Sequence, residues 1–64
     1  MTEQQYYDNL GRALREERKR RGMTQADVGV IVEVTGAAVS RWERGVDRMK
    51  AYAHHVLRCE GLLP

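Results

Sequence analysis

Phenylalanine is missing from this sequence of 64 residues, and proline occurs only at Pro64. Little in the chain therefore interrupts a helix. A single cysteine, Cys59, excludes an internal disulfide and fits a reducing, cytoplasmic compartment. No apolar run approaches the roughly 20 residues that cross a bilayer, and there is no signal-peptide core. Val, Thr and Tyr are too scattered to read as alternating strands. The chain reads as one domain over residues 1–64, near the lower size limit for folding alone and too small for most enzymes. It holds no nucleophile–base–acid set, no Gly-rich phosphate loop and no paired carboxylates in a recognisable frame. His55 and Cys59 lie four apart on one helix face. A structural zinc site needs about four ligands and nothing else supplies them, so no metal is expected. No cofactor or small-molecule ligand is evident either.

What is present is charge in blocks. Lys and Arg total 11 against 9 acidic residues, a net of +2. The first ten residues carry only acids, Glu3 and Asp8. Residues 12–21 hold Arg12, Arg15, Arg18, Lys19, Arg20 and Arg21 against Glu16 and Glu17. Residues 41–50 hold Arg41, Arg44, Arg48 and Lys50 against Glu43 and Asp47. Two positive blocks are the footprint of phosphate binding. The plainer reading of the first block is a solvated face whose last-turn cations suit the helix dipole.

The most organised stretch is Thr24 to Gly45, TQADVGVIVEVTGAAVSRWERG. It reads as two short helices separated by a turn. Thr24 caps the first, with Asp27 three residues on in a capping-box-like pair, and Met23 and Val28 can form a hydrophobic staple. Thr35 caps the second, and Val34 can pack on Val39. Val28, Val32, Val39 and Trp42 fall at helical spacing and face inward. Trp42, the only tryptophan, is thereby read as core rather than as a base-stacking residue. Left outward on the second helix are Gly36, Ala37, Ser40, Arg41 and Arg44. A helix with a slim tip and cationic sides suits a DNA major groove.

This stretch resembles the helix-turn-helix of the Cro/C1-type (Xre-like) DNA-binding regulators. The resemblance rests on Thr24, Gln25, Asp27, Val28, Gly29, Val34, Thr35, Val39, Ser40, Arg41, Trp42, Glu43 and Gly45 in one register, and extends to about residues 8–60. It implies an all-α, lambda repressor-like domain of four to five short helices. The function it implies is operator binding by a small transcriptional regulator of phage, prophage or bacterial type. Lack of an effector or cleavage domain favours a Cro-like protein. Two positions depart from the pattern. Glu33 stands at the turn where Gly is usual, which costs roughly 1–2 kcal/mol if the backbone stays left-handed. Gly29 stands where Ala is usual, at up to ~1 kcal/mol of helix propensity.

The flanks follow. Helix one starts near Thr2, with Gln5 as box partner, or near Asp8; Gly22 ends it. Tyr6, Leu10, Leu14 and Arg18 form an inward stripe. The resemblance pairs Arg18 with Glu43, a structural ion pair. Gln25, at the start of helix two, can bind a backbone phosphate with the free N–H groups there, as in related regulators. Asp47 reads as the cap of a further helix whose first turn holds Arg48 and Lys50. Cations there oppose the dipole and suggest an anion. GVDRMKAYAHHVL also resembles the loop and fourth helix of lambda-type repressors, which assigns Arg44, Arg48 and Lys50 to phosphates. Met49, Tyr52, Ala53, Val56 and Leu57 are core or interface.

Direct base readout falls to Thr35, Gly36, Ala37, Ser40 and Arg41. Arg41 can reach guanine, alanine methyls can meet thymine methyls, and DNA shape supplies the rest. The expected partner is double-stranded DNA with a palindromic operator, bound as a homodimer. Val56, Leu57, Leu62 and Leu63 form a candidate dimer surface; the alternative folds the tail onto the core beside Leu10 and Tyr6. Two other functions remain open. An antitoxin would need an extra toxin-binding segment, of which there is almost none. A helical protein–protein adaptor would lack salt-dependent affinity for duplex DNA.

Overall fold

A computed structural model describes residues 1–64 as four helices and no strand. They are α1 (Glu3–Arg20), α2 (Gln25–Val32), α3 (Gly36–Glu43) and α4 (Ala51–Cys59). Each start has a local cause. Thr2 begins α1: its hydroxyl accepts the Gln5 N–H, and the Gln5 side chain accepts the Thr2 N–H. Thr24 and Asp27 repeat this box at α2, with bonds of 3.0 and 2.8 Å. Thr35 caps α3 through the Ala38 N–H, without a reciprocal bond because residue 38 has no polar side chain. Only α4 lacks a side-chain cap. Lys50 stands at that position, and Asp47, expected to cap this helix, lies too early in the chain to do so.

The four ends share one device. The N–H of Met23, Val34, Val46 and Leu62 each reaches back five residues, to the carbonyls of Arg18, Gly29, Arg41 and Leu57. The residue before each has positive φ: Gly22, Glu33, Gly45 and Gly61. These are Schellman closures, which need a left-handed residue and place an apolar one after it. Glu33, at φ 60° and ψ 42°, is the exception in composition but not in geometry.

The core gathers Leu10 and Leu14 of α1, Val28 and Val32 of α2, Val39 and Trp42 of α3, and Ala53 and Leu57 of α4. Met49 joins from the α3–α4 connection, and Leu62 and Leu63 close it. Helix α3 packs on α1 and α2, and α4 packs on α2. At the α1–α3 contact there is no room for a side chain on Gly11: a Cβ there would lie 2.2 Å from the Trp42 carbonyl oxygen.

Three expectations need correction. Tyr6 is 43% exposed; Tyr7 takes the inner position and packs against the core, with Tyr6 edge-on to its ring. Both lie within one turn of Leu10, so spacing alone permits either. Leu62 and Leu63, offered as a dimer surface, are 1% and 4% exposed because the tail turns back onto the core, and Leu57 is fully buried. Arg21 holds that turn by donating to the Glu60 and Gly61 carbonyls. Of the proposed dimer residues only Val56 keeps partial exposure, and it too packs against the core. Finally, Gly29 does more than weaken α2. A Cβ there would lie 2.4 Å from the Val34 carbonyl oxygen, so its absence lets the turn close against the helix.

Candidate nucleic-acid interface

The starts of α2 and α3 lie side by side. A Cβ on Gly36 would be 3.1 Å from the Ala26 nitrogen, so Gly36 is half-buried against the first turn of α2. Its small size serves this contact. Ala37, next to it, is exposed, and Thr35 is exposed while its oxygen caps α3. The joint surface therefore combines two helix N-termini, with their free N–H groups and positive dipole ends, behind a thin tip. Ala38 faces the other way, toward Trp42, Val34 and Tyr52.

The orientation of this pair depends on one polar cluster. Arg18 is buried, and its guanidinium grips Glu43 with two bonds, Nε to Oε2 at 2.7 Å and Nη2 to Oε1 at 3.0 Å. The side chains are 10% and 2% exposed. A third bond runs from Arg18 Nη1 to the Met23 carbonyl. The Gln25 amide donates to Glu43 Oε1 at 3.2 Å. One carboxylate on α3 is thus held from α1 and α2 together. Its partnership holds the Arg18 guanidinium above its usual pKa, against the opposing effect of burial. No buried side-chain nitrogen or oxygen lacks a partner. Because an amide nitrogen carries two hydrogens, Gln25 keeps one unengaged.

Farther along α3 the outward residues are half-buried Ser40 and exposed Arg41 and Arg44. Arg41 Nε lies 2.7 Å from Asp47 Oδ2. The Asp47 N–H also points at the Arg41 carbonyl, at 3.4 Å, so the closure after α3 itself brings the two side chains together. Asp47 thereby acts on α3 rather than on α4. Its sequence position gave no signal of this, because Asp serves equally as a cap and as an arginine partner. Arg44 donates to the Ser40 carbonyl and otherwise stays free.

Arg48 and Lys50 do not lie in a first helical turn. Both precede α4 in extended or irregular backbone. Arg48 pairs with Glu3 across the domain and lies over the Tyr7 ring, 5.2 Å from its centre. Lys50 is exposed and unpaired beside Asp47 and Tyr52. As candidates for phosphate contact, Lys50 is ready, whereas Arg48 has first to leave Glu3. His55 and Cys59 approach to 3.7 Å on α4, and no third metal-ligating side chain joins them. No helix is long and apolar enough to cross a membrane.

A family model described as a helix-turn-helix domain matches residues 9–53, which takes in α2, α3 and most of α1. No curated protein and no solved structure gives a match.

Proposed function

The chain belongs to the helix-turn-helix domain family, and from that premise we propose that it is a sequence-specific DNA-binding transcriptional regulator of Cro/C1 type. Helix α3 enters the major groove, and the N-terminus of α2 seats on the backbone beside it. The observation that carries this reading is the side-by-side placement of the two helix starts behind a thin tip, with exposed Arg41 and Arg44 farther along α3 and Lys50 unpaired. In this reading the N–H groups and Gln25 hold phosphates, which sets the register. Thr35, Ala37, Ser40 and Arg41 then meet base edges. Arg41 contributes most, because its terminal nitrogens can span guanine O6 and N7 for about 1–3 kcal/mol of discrimination. The chemistry is recognition rather than catalysis.

One such module covers few base pairs, so the reading includes two copies on a palindromic operator. Two-fold symmetry puts their α3 helices about 34–36 Å apart in successive major grooves. The surface joining them lies outside the tail leucines, which the core has consumed. A cytoplasmic, phage- or bacterial-type repressor fits these properties. Selection of bound sites from random duplexes, followed by titration of the winner across a salt series, tests the proposal. It expects a symmetric consensus and an affinity that falls steeply with salt. Equal, weak binding to every duplex would reject sequence recognition, and no salt-dependent binding at all would reject the DNA partner.

A further inference from the structure

The arginines of this chain divide unequally. Arg18, Arg20, Arg21, Arg41 and Arg48 each pair with a carboxylate. Arg12, Arg15, Arg44 and Arg58 do not, and three of these four line a single cleft. That cleft, of about 310 Å³, lies between the middle of α1 and the end of α3, and its walls are Asp8, Arg12, Arg15, Glu43 and Arg44 with no apolar residue among them. Random placement of surplus cations on a solvated face would scatter them. A purely structural cluster would supply acids to match, as Glu17 does for Arg20 and Arg21. Here the Glu43 carboxylate is already neutralised by Arg18, and Asp8 is turned to the Gln4 amide at 2.9 Å. Three guanidiniums thus face one uncompensated carboxylate.

The cleft also shares a residue with the proposed interface. Glu43, in its wall, is the same carboxylate that accepts the Gln25 amide at the start of α2. Arg12 and Arg15 are three apart on one face of α1 and share the cleft with Arg44. We propose that this cleft binds the DNA backbone outside the base pairs that α3 reads, with Arg12 and Arg15 holding flanking phosphates. The inference rests on the DNA-binding reading above and adds a second contact zone to it. Guanidinium suits this task because its planar fork matches phosphate oxygens two at a time. Such contacts carry no sequence information; they raise affinity for longer duplexes and its salt dependence.

The test compares wild type with R12Q/R15Q on two duplexes carrying the same selected site. One is trimmed to the bases that α3 reads, and the other is extended by about six base pairs on each side. On the extended duplex the variant should lose close to two units of salt slope for each bound copy. Between 50 and 200 mM salt, wild type should therefore lose about twelvefold more affinity per bound copy than the variant. On the trimmed duplex the two proteins should bind alike, and the selected bases should not change. R12K/R15K should keep the slope. Neutral methylphosphonates in the flanks should reproduce the loss with wild-type protein, which covers the case of a variant that folds poorly. An equal slope for wild type and R12Q/R15Q on the extended duplex, together with indifference to the methylphosphonates, would overturn the proposal and leave the cleft to an acidic protein segment. A changed base preference would overturn it as well. Absence of salt-dependent binding by wild type to either duplex would instead count against the DNA-binding reading itself.

Discussion

Asp47 and Arg41 are six residues apart, yet their side chains meet at 2.7 Å because α3 closes on its own last turn between them. Both side chains are about half exposed, so the pair adds little to stability, of the order of 0.2–1 kcal/mol. Its weight falls on orientation instead. With Nε beside the Asp47 carboxylate, Arg41 presents its two terminal nitrogens in a limited set of directions. A guanidinium held this way loses less freedom on docking against a guanine edge.

Replacing Asp47 with Ala should therefore lower stability by no more than about 1 kcal/mol. Preference at the base pair met by Arg41 should relax. Replacing Arg41 with Ala should relax the same position by roughly 1–3 kcal/mol. Selection on both variants checks this. Two variants that lose preference at different positions would show that Asp47 does not work through Arg41.

The Arg18–Glu43 pair makes a contrasting prediction. It is buried and doubly bonded, and truncating either partner strands the other charge in the core. Arg18→Ala or Glu43→Ala should each cost ~3–5 kcal/mol, a large part of the stability of so small a domain. A double replacement, Arg18→Met with Glu43→Leu, should recover much of that loss. DNA affinity should not recover with it, since Gln25 would have lost its partner on α3. Denaturant melts and binding on the same samples separate the two effects.

Glu33 invites the opposite result. Its backbone is left-handed, and it is exposed. Glu33→Gly should raise stability by about 1 kcal/mol by removing the Cβ conflict. Gly11→Ala should lower it by roughly 1–3 kcal/mol, because the Cβ would push against the Trp42 backbone. Urea midpoints with an unchanged denaturant slope would record both.

Acid dependence should come from two carboxylates. Hydrogen bonds from Arg20 and then Arg21 hold Glu17 down at about 2, and the Thr24 backbone N–H holds Asp27 below its ordinary value. Both pKa values are depressed on folding. Their contribution is thus fully present above the unfolded values, and is lost as pH falls through the folded ones. For Glu17 that window runs from about 4.5 down to about 2. Glu17→Gln should flatten the fall of stability across it, and added salt should blunt the same fall, because the group is on the surface. Melting temperatures from pH 6 to 2 test both.

Much of this architecture was legible because its causes are local. Thr2, Thr24 and Thr35 start helices within three residues of their partners, and Gly22 and Gly45 stop them. The 3.6-residue period picked out Leu10, Leu14, Val28, Val32, Val39 and Trp42 as core, and all are buried. What stayed hidden depends on contacts between distant segments. Nothing near Lys50 announces the start of α4, since no side chain caps it. An apolar tail reads the same whether it covers its own core or a second chain, so the fate of Leu62 and Leu63 needed the tertiary structure. Gly29 looked like a propensity defect because the turn that approaches it is invisible to a helix scale. At the candidate site, the basic blocks were plain, but not which arginines find acids and which converge on one cleft.

The repeated closure of the four helices has a kinetic consequence. Each reversal is completed by a bond from a residue to one five positions earlier, so the chain changes direction four times without waiting for a distant partner. Only a few steps demand a long search, such as Arg18 finding Glu43 and Arg21 finding the tail. Domains built from near contacts collapse in microseconds to milliseconds. Trp42, the only tryptophan and buried in the core, reports on the docking of α3. Its fluorescence after a temperature jump should relax in a single fast exponential, and Glu33→Gly, which eases one reversal, should speed refolding if the α2–α3 turn forms before the rest.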